Sequence, residues 1–177
     1  MDIGKEQSFL SEKNIKKILS QEFHTKEGAL APDFTFKDSD NKDLKLSNFL
    51  GKRIVIYFYP NDFTPGCTTQ AYEFSSHFNK YLEHNITIIG ISPNDEQTHH
   101  KFKEKMSIPF LLVSDANNQI SKKYGVYSLK KFMGKEYMGV NRTTFLIDKY
   151  GKIVKIFYKV KPKGHSAEVL NYFLKYN

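Results

Sequence analysis

The sequence has one cysteine, Cys67, two arginines, Arg53 and Arg142, and no tryptophan. A single thiol closes no internal disulfide and supplies no cysteine-rich zinc site. Two arginines leave 25 of the 27 basic residues as lysine (27 − 2 = 25), so forked recognition of phosphate or guanine has little material. The net charge of +8 therefore reads as a solvated lysine coat, and no specific nucleic-acid partner is expected. Long apolar runs are missing too. The longest stretch without Asp, Glu, Lys or Arg is 11 residues, His84 to Asn94. A membrane-spanning helix needs roughly 20, so no membrane span is expected. The opening MDIGKEQSFL carries acids and no apolar run, which argues against a secretory leader. With the lone cysteine it points to a reducing, cytoplasmic location.

What is present is ordinary globular material: 40% hydrophobic and 26% charged residues, enough for a real core. The 177 residues suit one compact domain with a little chain to spare. Ile15, Ile18, Leu19 and Phe23 share one helical face. Residues 1–25 are therefore expected to form an extension with a short amphipathic helix, ahead of a domain over 26–177. Phe34–Phe36 and Leu44–Leu46 flank a polar, turn-rich segment and read as a hairpin. The run RIVIYFY, Arg53 to Tyr59, is bounded by Gly51 and Pro60 and reads as a central strand buried on both faces. Beyond it the pattern predicts a helix over 65–82, a strand over 86–91, a helix over 96–106 and a strand over 110–113. A short helix over 119–124 and a glycine-containing loop follow. Strands over 143–147 and 153–158, joined by a turn at Asp148–Gly151, precede a last helix over 166–176. This βαβ rhythm marks an α/β protein with parallel pairing.

Chemistry concentrates between the central strand and the helix after it, in PNDFTPGCTTQ, Pro60 to Gln70. Thr64 suits a helix N-cap and Pro65 the first helical position. Cys67 then falls in the first turn, where unpaired N–H groups and the positive end of the helix dipole favour a thiolate. Gly66 removes a Cβ that would crowd an approaching substrate. Ligand sites in open α/β sheets gather beyond the carboxyl ends of strands, which is where this segment lies. His99 and His100 cannot place both rings on one helix face, and His77 and His84 lack acidic or cysteine companions at ligand spacing. No metal and no cofactor are expected.

The spacing of Pro60, Thr64 and Cys67 closely resembles the active-site pattern of peroxiredoxins. With APDFTF, YMGVNRTTFLID and KGHSAEVL around it, the chain from about Ala31 onward is similar to the bacterioferritin comigratory protein or PrxQ subfamily. The resemblance implies a thioredoxin-like fold, a central mixed β-sheet flanked by helices, and reduction of hydrogen peroxide or organic hydroperoxides. It implies Cys67 as the nucleophile, Thr64 as a hydrogen-bonding partner of thiolate and peroxide, and Pro60 as a shield of the sulfur. Arg142 matches the family arginine. Gln70 falls where the subfamily carries Glu or Gln, and with Gly66 it is expected to border the substrate.

One departure matters. Many subfamily members carry a resolving cysteine five residues after the first, and here that position is Tyr72. The resemblance then implies a one-cysteine enzyme whose sulfenic acid is reduced from outside, by thioredoxin, glutaredoxin or glutathione, in a monomer or homodimer. A rival reading is a redox-inactive thioredoxin-fold binding protein that uses its basic surface. The joint presence of Pro60, Thr64, Cys67 and Arg142 weighs against it, since a silent scaffold has no need of all four.

Overall fold

The computed structural model describes residues 25–38 and 41–176. The amphipathic helix expected over residues 11–23 lies outside the described residues. The chain enters with a small antiparallel hairpin, β1 (Thr35–Lys37) and β2 (Asp43–Lys45), and a 3-10 turn at Leu46–Phe49. The central sheet is built from β3 (Arg53–Phe58), β4 (Ile86–Ser92), β5 (Leu111–Ser114), β8 (Thr143–Ile147) and β9 (Ile153–Phe157). Its order is β5-β4-β3-β8-β9, so β3 is central as its unbroken apolar run requires. β3, β4 and β5 run parallel, while β8 and β9 join antiparallel, which makes the sheet mixed.

Alternate residues of β3 feed two cores. Ile54, Ile56 and Phe58 face one, with Phe36, Tyr124 and Phe145. Val55 and Tyr57 face the other, with Cys67, Phe74, Phe102 and Phe173. The second core is covered by α1 (Pro65–Ser76), α3 (Glu96–Met106) and α5 (His165–Lys175), whose apolar residues recur at helical spacing. Asp95 caps α3 by accepting the Thr98 N–H at 2.7 Å, which fixes its start where the sequence places it. A short α4 spans Gln119–Lys123.

Two expectations are corrected. The helix expected over 65–82 breaks at His77 into α1 and α2 (Phe78–Glu83). The break is held from α5: His77 Nδ1 lies 3.0 Å from Ser166 Oγ, and Tyr81 donates its hydroxyl to the Ser166 carbonyl at 2.7 Å from full burial. The loop expected between residues 125 and 142 is a regular hairpin, β6 (Tyr127–Phe132) and β7 (Lys135–Val140). Met133 and Gly134 turn it with φ of 50° and 76°, the two positive values that a two-residue hairpin turn needs. Leu129, Phe132, Tyr137 and Met138 are all exposed and only the base, at Tyr127 and Val140, meets the core, so the hairpin has no continuous buried face to impose an alternating pattern.

Candidate active site

β3 ends at Phe58, and the Tyr59 N–H extends its ladder by one bond to the Ile91 carbonyl, 3.0 Å. The chain then turns through Pro60–Phe63 and starts α1, with Thr64 extended at the N-cap and Pro65 in the first turn. The Thr68 N–H closes the first helical bond on the Thr64 carbonyl at 2.9 Å. Cys67 therefore sits at a helix start beyond the carboxyl end of the central strand. Its side chain turns inward and is 1% exposed.

Arg142 comes from the link between β7 and β8, where its carbonyl accepts the Val160 N–H at 3.1 Å. Its guanidinium is shared. Nη2 donates to the Cys67 sulfur at 3.4 Å, and Nη1 donates to Gln70 Oε1 at 2.8 Å. Gln70 is 1% exposed, so the residue at the Glu/Gln position anchors the arginine from inside the protein. A Cβ on Gly66 would lie 3.1 Å from Arg142 Nη2 and 3.4 Å from Pro162 Cγ. The space that this glycine keeps clear on one side is thus the seat of the guanidinium.

The Thr64 hydroxyl is engaged within its own turn. It donates to the Asn61 carbonyl at 2.8 Å, not to the sulfur. With its one proton committed, the hydroxyl oxygen has lone pairs left to accept a peroxide O–H. Pro60 is half-buried and borders a cavity of about 300 Å³ together with Asn61, Tyr137 and Met138. The floor under Cys67 is aromatic: Tyr57 stacks on Phe74 at 4.8 Å and on Tyr59 at 5.4 Å. Burial, reinforced by charge at Cys67, pushes the Tyr57 phenol well above its ordinary value, so it stays protonated.

One group of site residues escaped the sequence reading. Asp62, inside the turn, is 4% exposed and accepts the Tyr59 hydroxyl on Oδ1 at 2.6 Å. Its Oδ2 lies 2.6 Å from His99 Nδ1, and His99 Nε2 lies 3.1 Å from the Val113 carbonyl. A carbonyl only accepts, so Nε2 carries a proton. His99 is inward-facing and His100 exposed, which is why the pair does not act together. Farther along, His165 Nε2 lies 2.8 Å from Thr144 Oγ1 and Nδ1 lies 3.1 Å from Glu168. Burial lowers its pKa, so it is neutral in the fold.

A buried sulfur at a helix start with a fixed guanidinium on it suits nucleophilic attack on a small, charge-accepting oxygen substrate. Comparison with known proteins agrees. Residues 28–156 match the AhpC/TSA family. The chain is 48% identical to peroxiredoxin Bcp of Bacillus subtilis over 143 residues, covering 81% of this chain and 91% of that protein. It is 38% identical to peroxiredoxin Bcp of Escherichia coli over 147 residues, covering 83% and 94%. Among solved structures, a cysteine-to-serine PrxQ mutant of Xylella fastidiosa superposes with a TM-score of 0.81 at 30% identity, covering 86% of this chain and 98% of that one. The bacterioferritin comigratory protein of Xanthomonas campestris, solved in trapped intermediate and ligand complexes bearing on its alkyl peroxide reduction activity, superposes with a TM-score of 0.76 at 31% identity, covering 81% and 91%. None of these supports the redox-inactive binding protein. The chain belongs to the AhpC/TSA family as a thioredoxin-fold peroxiredoxin of the Bcp/PrxQ type, a thiol-dependent peroxidase.

Proposed function

We propose that Cys67 is the peroxide-attacking nucleophile and that Arg142, Thr64 and Pro60 serve it within the domain over 26–177. The observation that carries this reading is the guanidinium bridging Cys67 and Gln70 at 3.4 Å and 2.8 Å. The Cys67 thiolate attacks the terminal oxygen of ROOH, the O–O bond breaks, and RO⁻ leaves and is protonated to ROH. Cys67 is left as sulfenic acid. Arg142 donates to charge as it moves from sulfur to oxygen, and Thr64 Oγ1 accepts the peroxide O–H.

An external thiol then attacks the sulfenic sulfur, releasing water and forming a mixed disulfide. A second thiol restores Cys67 and leaves as the oxidised donor. Tyr72, 64% exposed on the outer side of α1, offers no internal substitute. Hydrogen peroxide and organic hydroperoxides are the substrates of this reading, and thioredoxin, glutaredoxin or glutathione the donor. It places the protein in the cytoplasm as a monomer or homodimer. No helix among the described residues is long and apolar enough to cross a membrane. The test is peroxide consumption with each donor in turn. Turnover with at least one donor, lost in Cys67→Ser, supports the reading and names the reductant; turnover that survives Cys67→Ser contradicts it.

A further inference from the structure

The structure poses a conflict of access at Cys67. At 1% exposure the Cys67 side chain is covered, and an external thiol, larger than a peroxide, reaches the sulfenic sulfur more readily if the start of α1 opens. The turn before that corner carries a set of polar bonds centred on Asp62. Its carboxylate takes the Tyr59 hydroxyl at 2.6 Å and meets His99 Nδ1 at 2.6 Å. Its N–H donates to Asn94 Oδ1 at 2.9 Å, and His99 passes the tie on to the Val113 carbonyl at 3.1 Å. The Asp62 carboxylate is thus bonded to the end of β3 and, through His99 of α3, to β5, while its backbone N–H holds the β4–α3 link.

The neighbouring residues show the same restraint. Phe63 holds φ of 65°, a backbone region that a bulky aromatic adopts only when its surroundings impose it. Its ring meets Phe102 of α3 edge-on at 5.1 Å. Thr64 then ties its hydroxyl back to the Asn61 carbonyl. His99 and Phe102 lie on one face of α3, so a helix remote in sequence is the platform on which the turn before Cys67 is pressed.

We propose that the buried Asp62–His99 pair is the clasp that holds the Thr64–Cys67 corner closed, speeding attack on peroxide and slowing reduction of the sulfenic acid by an external thiol. Both are positioning residues, and the proposal rests on Cys67 being the peroxide-attacking thiol. It separates from a general folding role because loosening the clasp moves two rate constants in opposite directions.

Asp62→Asn gives an internal control. Its Oδ1 still accepts from Tyr59, its Nδ2 donates to the bare Nδ1 of a neutral His99, and Nε2–H still donates to Val113, so the clasp survives without charge. Asp62→Ala and His99→Leu break it, and Tyr59→Phe removes one bond from the carboxylate with no change of shape. The measurements are single-turnover oxidation of Cys67 by hydrogen peroxide and, separately, reduction of the preformed sulfenic acid by dithiothreitol. In Asp62→Ala and His99→Leu, oxidation should slow by about tenfold or more while reduction speeds up by about threefold or more. Tyr59→Phe should move both the same way by less, and Asp62→Asn should stay within about twofold of wild type. If Asp62→Ala or His99→Leu does not fold, Tyr59→Phe decides. Constants that fall together, or that stay unchanged, overturn the clasp while leaving the peroxidase reading intact. A wild-type protein whose Cys67 is not oxidised overturns the peroxidase reading itself.

Discussion

Gln70 Oε1 holds one arm of the Arg142 guanidinium at 2.8 Å, three residues along the same helix from the sulfur that the other arm reaches at 3.4 Å. Two parallel donors fixed this way require a planar fork, which an ammonium group cannot reproduce. Arg142→Lys should therefore keep the charge and lose the geometry, slowing peroxide attack more than about tenfold, a rise of about 1.4 kcal/mol in the barrier. Stopped-flow oxidation of Cys67 measures it, and an unchanged rate would remove Arg142 from the site.

Gly66→Ala sets activity against stability. A Cβ there meets Arg142 Nη2 at 3.1 Å and Pro162 Cγ at 3.4 Å, so the guanidinium has to shift. Alanine is also the better helix former by up to about 1 kcal/mol. The variant should melt no lower than wild type while its peroxide rate constant falls severalfold. A rate equal to wild type would show that the arginine does not depend on that space.

Tyr72→Cys tests how the helix start behaves after oxidation. Five residues along an α-helix advance about 7.5 Å and turn about 140°, and the side chains of residues 67 and 72 accordingly point inward and outward. A disulfide needs converging Cβ vectors and Cα atoms within about 7 Å, so it can form only if the first turns of the helix unwind. With one equivalent of peroxide and no reductant, intact mass should show the variant losing two hydrogens and wild type gaining oxygen. A variant that only gains oxygen would mean that this helix start does not open.

His165 predicts a pH dependence of stability. Burial holds its folded pKa below the ordinary 6.5, so between the two values the unfolded chain binds the extra proton. Stability is lost as pH falls through about 6.5 and levels off below the folded pKa. Asp95, held down by the Thr98 N–H that it accepts, acts in the acid range below 3.8 and leaves this window clear. Melting temperatures between about pH 7.5 and 5.5 should fall less steeply in His165→Gln than in wild type. Equal slopes would contradict the assignment.

What could be read in advance was local. The unbroken apolar run of β3 and the Thr64-Pro65-Gly66-Cys67 helix start declare themselves within a few residues. The β6–β7 hairpin did not, because beyond its base both faces are largely exposed and leave no period-2 signal, and only Met133–Gly134 marks its turn. Nor did the break at His77, which is made by Ser166 from the far end of the chain. Within the site, Cys67 was singled out by its helix-start position, while its role as nucleophile and Arg142 came through family resemblance. The Asp62–His99 tie joins residues 37 apart, and nothing in either neighbourhood points to the other. Gln70 was singled out only through the subfamily's Glu/Gln position, and its hold on Arg142 shows first in its burial and its 2.8 Å bond.

The most direct test of the account is the fate of Cys67 under one equivalent of hydrogen peroxide, followed by peptide mass spectrometry without reductant. The account predicts oxidation to the sulfenic state at Cys67 alone, disappearance of the peroxide on the same time course, and no peroxide consumption by Cys67→Ser. Peroxide consumed while Cys67 stays reduced, or consumed equally by Cys67→Ser, would contradict it.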